Sequence, residues 1–245
     1  MELGQRYLIA LPVDDRFLEE YHLESLKDKV DLFEFRVDQF KNKDVEYIKK
    51  LAQKVKSLGL GIILTIRSKE EGGADIPDNI RIDMFKKLIP FADIVDIELN
   101  SKINKEIITT TKNYKKLALV SYHDFEKTPE ENEIQKIIDK GKELKANIIK
   151  YAFKVNKEKD VGKILSVTYK NADVFLVAIG MGDLGKITRI AGFFFGSIMT
   201  YTYVGQSFAP GQIELHKLIE ELRFLNLHTK SLRNSKNNKE NTYNP

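Results

Sequence analysis

A lysine sits in the middle of the short apolar run Asn147-Ile148-Ile149-Lys150-Tyr151-Ala152-Phe153. The run is too brief for a helix and is rich in strand formers. Lysine is among the last residue types to be buried without a reason. Buried among hydrophobes it tends to lose its proton and to become a nucleophile toward carbonyl carbon. Taken alone, the run reads more simply as an edge strand, or as a lysine snorkelling to water. The other ionisable residues of the chain argue for chemistry.

Those residues recur with period two at the ends of apolar runs. Glu34, Arg36 and Asp38 share one face of a strand, as do Thr65 with Arg67, Asp96 with Glu98, and Ser121 with His123. Any one set is explained by a structural salt bridge, Asp96 and Glu98 most readily. Six or more ionisable groups aimed at one axis are harder to dismiss, because buried charge costs several kcal/mol per ion unless paired or used. A lysine desolvated by Ile148 and Ala152 near Arg36 or Arg67 is expected to be uncharged and to form an imine with a ketone or aldehyde. His123, at a strand end inside a polar turn, can take and return protons near neutral pH. The remaining three of the four histidines, His22, His216 and His228, lie in polar helical patterns and read as surface residues.

Eight short β-rich runs recur along the 245 residues, and almost every gap between them reads as a helix. The strands are expected near Tyr7–Val13, Leu32–Asp38, Ile62–Arg67, Ile94–Leu99, Leu117–His123, the Lys150 run, Val174–Ile179 and Phe195–Val204. Helices are expected at Asp15 to about Lys29, 43–57, Ile80–Phe91, the stretch after Leu99 to Tyr114, one capped by Thr128, Lys157–Tyr169, 185–192 and Ile213–Leu227. The last presents Leu215, Leu218, Ile219, Leu222 and Leu225 inward. The alternation and length predict an α/β fold, a single (β/α)₈ TIM barrel over residues 1–228, with an open doubly wound sheet as the alternative. Chemistry in such a barrel sits at the C-terminal ends of the strands. Residues 229–245 are almost devoid of apolar side chains and are expected to be disordered.

Composition narrows the function. At 42% apolar and 31% charged residues the chain reads as soluble and globular. Its apolar stretches fall short of the roughly 20 residues a membrane span needs, and no cationic-then-apolar leader opens it. Zero cysteines exclude disulfides and thiolate metal sites, and lean toward the cytoplasm. The net charge of +4 is partly made by Lys230, Arg233, Lys236 and Lys239 in the tail, so nucleic-acid binding finds little support. Abundant Lys and Glu with no Cys would suit a thermophile. Gly180-Met181-Gly182-Asp183-Leu184-Gly185 fits a dinucleotide-binding turn, but the acid required about 20 residues on is missing. A tight glycine turn at the barrel mouth is the better account.

An ordered set of motifs then resembles one family, type I 3-dehydroquinate dehydratase, the Schiff-base class. The set comprises Glu34-Phe35-Arg36-Val37-Asp38, Thr65-Ile66-Arg67-Ser68-Lys69-Glu70-Glu71-Gly72-Gly73, Asp96-Ile97-Glu98-Leu99 and Ser121-Tyr122-His123-Asp124-Phe125 with Thr128-Pro129. It continues through Ile149-Lys150, Met181-Gly182 to Gly185 and Arg189, Phe195-Gly196-Ser197 with Thr200-Tyr201, and Ala209-Pro210-Gly211-Gln212-Ile213. The resemblance implies a lyase that dehydrates 3-dehydroquinate to 3-dehydroshikimate, the third step of the shikimate pathway, with no cofactor and no metal. It implies that Lys150 forms the imine, His123 moves the protons, and Glu71 orients His123. It further implies that Arg189 grips the substrate carboxylate, that Glu34, Arg36 and Arg67 bind the ring hydroxyls, and that Gln212 sits on a closing loop. A cytoplasmic homodimer, with neither membrane nor nucleic acid as partner, belongs to the same expectation.

Some positions depart from that pattern. Phe208 stands where the family commonly has serine, with Ser207 one position earlier, and Ala10 replaces a frequent first-strand serine. Ile179 takes a place often held by Met, and six residues before the first strand are too few for the hairpin that caps the floor of longer relatives. Two rivals remain: an aldolase of the transaldolase or pyruvate-dependent kind, and a barrel that has lost catalysis. The first lacks the His123 turn and the Ala-Pro-Gly-Gln loop, and the second is opposed by an intact Lys150, His123 and Glu71.

Overall fold

The computed structural model describes residues 3–5 and 7–227; His228 and the tail expected to be disordered lie outside them. The apolar runs form eight parallel strands: β1 (Leu8–Val13), β2 (Leu32–Arg36), β3 (Gly61–Thr65), β4 (Ile94–Glu98), β5 (Leu117–Asp124), β6 (Ile148–Lys154), β7 (Leu176–Met181) and β8 (Met199–Tyr203). Neighbours pair in order from β1 to β7, and β1 pairs with β8. The ring closes through a bridge between Leu176 and Ser197, beside which the Ile198 N–H donates to the Leu176 carbonyl at 2.8 Å. The fold is a single (β/α)₈ barrel, and the open sheet is excluded. A short strand that the sequence does not announce, β9 (Ile213–Glu214), extends from β8.

Helices α1 (Asp15–Glu20), α2 (Val45–Ser57), α3 (Asp78–Leu88), α4 (Asn104–Asn113), α5 (Glu131–Glu143), α6 (Glu158–Lys170), α7 (Thr188–Ala191) and α8 (Leu215–Phe224) follow the strands. In α2, Ile48, Leu51, Ala52 and Val55 make a buried stripe, while Asp44 caps the first turn by accepting the Tyr47 N–H at 2.9 Å. These stripes meet the outward strand residues, such as Ile9, Leu11, Phe33 and Phe35, in the shell between sheet and helices.

The interior is layered. Leu8, Leu32, Ile63, Ile94, Leu119, Ile148, Val177 and Met199 form an apolar tier, against which Leu3 packs together with Leu117 and Ile198. Two residues further along each strand stand Ala10, Glu34, Thr65, Asp96, Ser121, Lys150, Ile179 and Tyr201. Because alternate strand residues share a face, this single step carries the barrel axis from hydrocarbon to ionisable groups.

Four expectations need correction. The chain leaves α1 at Tyr21 (φ −83°, ψ 146°) and turns again over Leu23–Leu26, which brings Leu23 and Leu26 into the core instead of continuing one helix to Lys29. Thr128 does not cap α5; its hydroxyl donates to the Lys154 carbonyl at 2.8 Å, and Glu130 is the cap, its N–H bonded to the Glu133 carboxylate at 3.1 Å. Phe195 belongs to a 3₁₀ turn, not to β8, because Gly196 at φ 104° breaks any strand there. Leu225 lies past the end of α8 and is exposed, whereas Leu227 is buried.

Candidate active site

All eight residues singled out from the sequence line one cavity of about 370 Å³ at the C-terminal ends of the strands: Glu34, Arg36, Arg67, Glu71, His123, Lys150, Arg189 and Gln212. That volume falls within the roughly 300 to 1,000 Å³ usual for small-molecule sites. Ala152, Ile179, Met181, Tyr201 and Phe208 supply much of the apolar wall.

Lys150 is dry, as expected, at 5% exposure. Its surroundings differ from the aliphatic and guanidinium neighbours that the sequence suggested. Its Nζ lies 3.2 Å from Asp96 Oδ2 and 3.7 Å from Glu34 Oε1, and donates to the Tyr201 hydroxyl at 3.2 Å. The Tyr201 ring centroid is 4.3 Å away. The amine is therefore held in ion pairs. The sequence reading missed them because the carboxylates come from β4 and β2, remote in the chain.

Each partner is fixed in turn. Arg67 reaches Asp96 at 2.9 Å and Glu98 at 3.2 Å, and donates to Ser121 Oγ at 2.7 Å; Ser121 donates to Asp96 Oδ1 at 2.6 Å. Thr65 donates to Glu34 at 2.9 Å. Burial works against ionising Asp96, but the charges of Arg67 and Lys150 prevail and hold its carboxyl well below the usual range. Burial likewise disfavours the Arg67 cation, and Asp96 and Glu98 more than offset that. Arg36 forms a two-point fork with Asp38 at 3.0 and 2.8 Å, nearer the cavity mouth.

His123 and Glu71 meet at 2.7 Å between Nδ1 and Oε2. The 3₁₀ turn Lys69–Glu71 ends in Gly72 at φ 83°, a backbone state that glycine adopts without strain. Gly73 packs so tightly that a Cβ there would stand 2.0 Å from the Arg67 carbonyl oxygen. Burial, aided by the charges of Arg67 and Lys150, holds the imidazolium well below its ordinary range, which favours the neutral ring. Burial also pushes the Glu71 carboxyl up to about 8, against the pull of Arg67. The phenol of Tyr201 is pushed well up, first by burial and then by Glu34 and Asp96.

Arg189 is the exception to this pairing. It is 2% exposed, and among the described residues it meets only carbonyls, Tyr201 at 3.4 Å and Pro210 at 3.3 Å, while its Nε has no partner. Burial lowers it to about 10. Gln212 accepts from the Phe208 N–H at 2.8 Å and from Ser207 at 3.2 Å, so its amide oxygen is used and its nitrogen, without a partner among the described residues, remains available. The Gly180–Gly185 turn braces this side. A Cβ on Gly185 would meet the Gly180 carbonyl carbon at 2.4 Å, and one on Gly211 the Gly182 oxygen at 2.3 Å, while Met181 joins the wall.

The arrangement supplies a buried amine, an imidazole held by a carboxyl, and an unpaired guanidinium around one small cavity. Sequence reasoning placed Ser121 on an inward face without a role, read Asp96 most readily as a structural salt bridge, which it makes with Arg67, and met Tyr201 only within a motif. Their position two residues beyond the apolar tier was the available signal.

Comparison with known proteins supports a specific family. The family model for type I 3-dehydroquinase matches residues 7–229. A 3-dehydroquinate dehydratase of Aquifex aeolicus is 40% identical over 215 residues, covering 87% of this chain and 96% of the relative. One from Methanococcus vannielii is 42% identical over 227 residues, covering 89% and 100%. The crystal structure of the Aquifex aeolicus 3-dehydroquinate dehydratase superposes with a TM-score of 0.81 at 39% identity, over 89% of this chain and 98% of that one. That of Geobacillus kaustophilus gives 0.84 at 29% identity, over 91% and 92%. With the fold, the cavity and these relatives in agreement, the chain belongs to the type I 3-dehydroquinase family.

Proposed function

We propose that the chain dehydrates 3-dehydroquinate to 3-dehydroshikimate through an imine on Lys150. The observation that carries this is the buried Lys150 amine facing the same cavity as His123, whose Nδ1 is held by Glu71 at 2.7 Å. Asp96, Glu34 and Tyr201 hold the amine in place; it must shed a proton before attack, and His123 is the base sharing its cavity. Nζ then adds to the ring ketone, and the carbinolamine loses water. The iminium makes the neighbouring C–H acidic by giving its electrons a nitrogen sink. His123 removes that proton, then returns it to the hydroxyl departing from C1. Water hydrolyses the product imine, so the net change is the loss of one water.

Arg189 is the group suited to the substrate carboxylate. Arg36 pairs with Asp38, Arg67 with Asp96 and Glu98, Arg81 with Asp78 and Glu98, and Lys150 with Asp96 and Glu34, whereas Arg189 meets no carboxylate among the described residues. Arg189 is thus the buried guanidinium left for an incoming carboxylate, which satisfies it with fork geometry. Glu34, Arg36 and Arg67 are assigned to the ring hydroxyls, and Gln212 to a loop that closes and excludes water. The same proposal carries a cytoplasmic homodimer, which sedimentation of the purified chain tests. Its direct test adds 3-dehydroquinate and follows the ultraviolet absorbance of the conjugated enone. Growth of that band is expected; its absence with folded protein leaves only a non-catalytic barrel.

A further inference from the structure

Arg81 heads the fully buried side chains of the described residues by volume, at 1% exposure. It occupies the inner face of α3 with Met84, Phe85 and Leu88, where the helical pattern asks for a hydrophobe. It does not line the cavity. Its Nε and Nη2 donate to the Ile66 carbonyl at 3.0 and 2.8 Å, Nη2 reaches Glu98 Oε2 at 2.6 Å, and Nη1 reaches Asp78 at 3.1 Å. A buried ion pair is weak evidence of stabilisation, because hydrophobic residues of similar volume often serve as well. Its bonds lead toward the cavity instead.

From Arg81 an unbroken series of contacts runs to the base. Glu98 Oε2 takes Arg81 at 2.6 Å, and Glu98 Oε1 takes the Ser68 N–H at 2.8 Å. The Ser68 carbonyl accepts the Glu71 N–H at 3.2 Å and the Gly73 N–H at 2.8 Å, shaping the Glu-Gly-Gly turn. Glu71 then holds His123 at 2.7 Å. Ile66, which Arg81 grips by its carbonyl, lies two residues before Ser68. The arginine therefore fastens both the strand end and the carboxylate on which the turn is built.

We propose that Arg81 is a positioning residue for the reaction, fixing through Glu98 and the Ile66–Ser68 corner the place from which Glu71 holds His123. The inference rests on the assignment of His123 as proton carrier. It predicts a split between chemical steps, since the contacts of Lys150 to Asp96, Glu34 and Tyr201 do not include Arg81. Removal of the C–H proton and departure of the hydroxyl, which His123 carries, are slowed more than imine formation, for which Asp96, Glu34 and Tyr201 still hold the amine.

The test uses the full chain and the variants Arg81→Met and Arg81→Lys, each assayed well below its thermal midpoint. The readouts are kcat, KM, the pH profile of kcat, and the fraction of protein trapped as a reduced substrate adduct by borohydride during turnover. Displacements of about an ångström far from the reacting atoms can cost on the order of 100-fold in rate. Arg81→Met is expected to lose roughly 10- to 100-fold in kcat with little change in KM, to trap more adduct than the parent, and to show a shifted pH profile. Arg81→Lys, which keeps the charge but not the fork, is expected to fall between. Should Arg81→Met fail to fold, Arg81→Lys decides by the same readouts. Parental kcat and pH profile in a folded variant, with only a lower thermal midpoint, overturn the proposal and leave the catalytic assignment standing. A parent that makes no enone overturns both.

Discussion

The two sides of the cavity are built on opposite principles. From β2 to β6 every buried charge has its partner: Arg67 with Asp96 and Glu98, Arg81 with Glu98, and Lys150 with Asp96 and Glu34. On the side of β7, β8 and the loop before β9, the wall is Ile179, Met181 and Phe208, and Arg189 stands with carbonyl oxygens alone among the described residues. One side is electrostatically complete before anything binds, and it holds the groups that must be aligned for reaction. The other leaves Arg189 without an anion, the one that the carboxylate of the proposed substrate would supply. On the proposed reading, alignment of the reacting groups and capture of the substrate carboxylate fall to different strands.

The sharpest way to break this division is to remove a member of the complete side. Lys150→Ala is expected to abolish turnover while substrate analogues still bind, read by enone absorbance and calorimetry. His123→Ala should lose about 100- to 10,000-fold in kcat and let a covalent adduct accumulate; a fully active variant would refute its role. On the incomplete side, Arg189→Met should raise KM roughly 30-fold or more, because a buried charge pair then lacks one partner. The same substitution removes an uncompensated buried cation, so the thermal midpoint of the free protein should rise. No substitution among the paired residues should do both.

Smaller effects sharpen the picture. With Glu71 pushed up to about 8, the His123–Glu71 pair carries an extra proton below that pH and lacks a free ring nitrogen. Above it the ionised carboxylate accepts a hydrogen bond from Nδ1–H and leaves Nε2 free. Activity at limiting substrate should therefore rise through about pH 8 and level off, and Glu71→Gln should remove that rise. Phe208→Ser, which restores a hydroxyl beside Gln212, is expected to lower KM by no more than about tenfold, the worth of one hydrogen bond. An unchanged KM would show that this position does not reach the ligand.

Much of this was legible in the chain. Strict two-residue alternation revealed the inward faces, and that parity alone put Glu34, Arg67, His123 and Lys150 around one axis. Family motifs added Glu71, Arg189 and Gln212, which lie on turns and a short helix where no periodicity points inward. What stayed hidden was set by pairing across the barrel. Nothing local to Lys150 announces Asp96 or Glu34, so an amine expected to be bare proved to be ion-paired. Arg81 carried a faint signal, a guanidinium on the apolar face of a helix, but its acceptors Ile66 and Glu98 belong to other elements. Thr128 looked like a cap because cap preference is local, and the Lys154 carbonyl that claims its hydroxyl is not.

The central claim is that the Lys150 amine forms a covalent bond to the substrate inside this cavity. The direct measurement is to mix the protein with 3-dehydroquinate, reduce with borohydride, and map the added mass by peptide digestion. A single adduct on Lys150, absent from Lys150→Ala, is the predicted result. Enone formation with no trapped mass, or an adduct on another lysine, would contradict it.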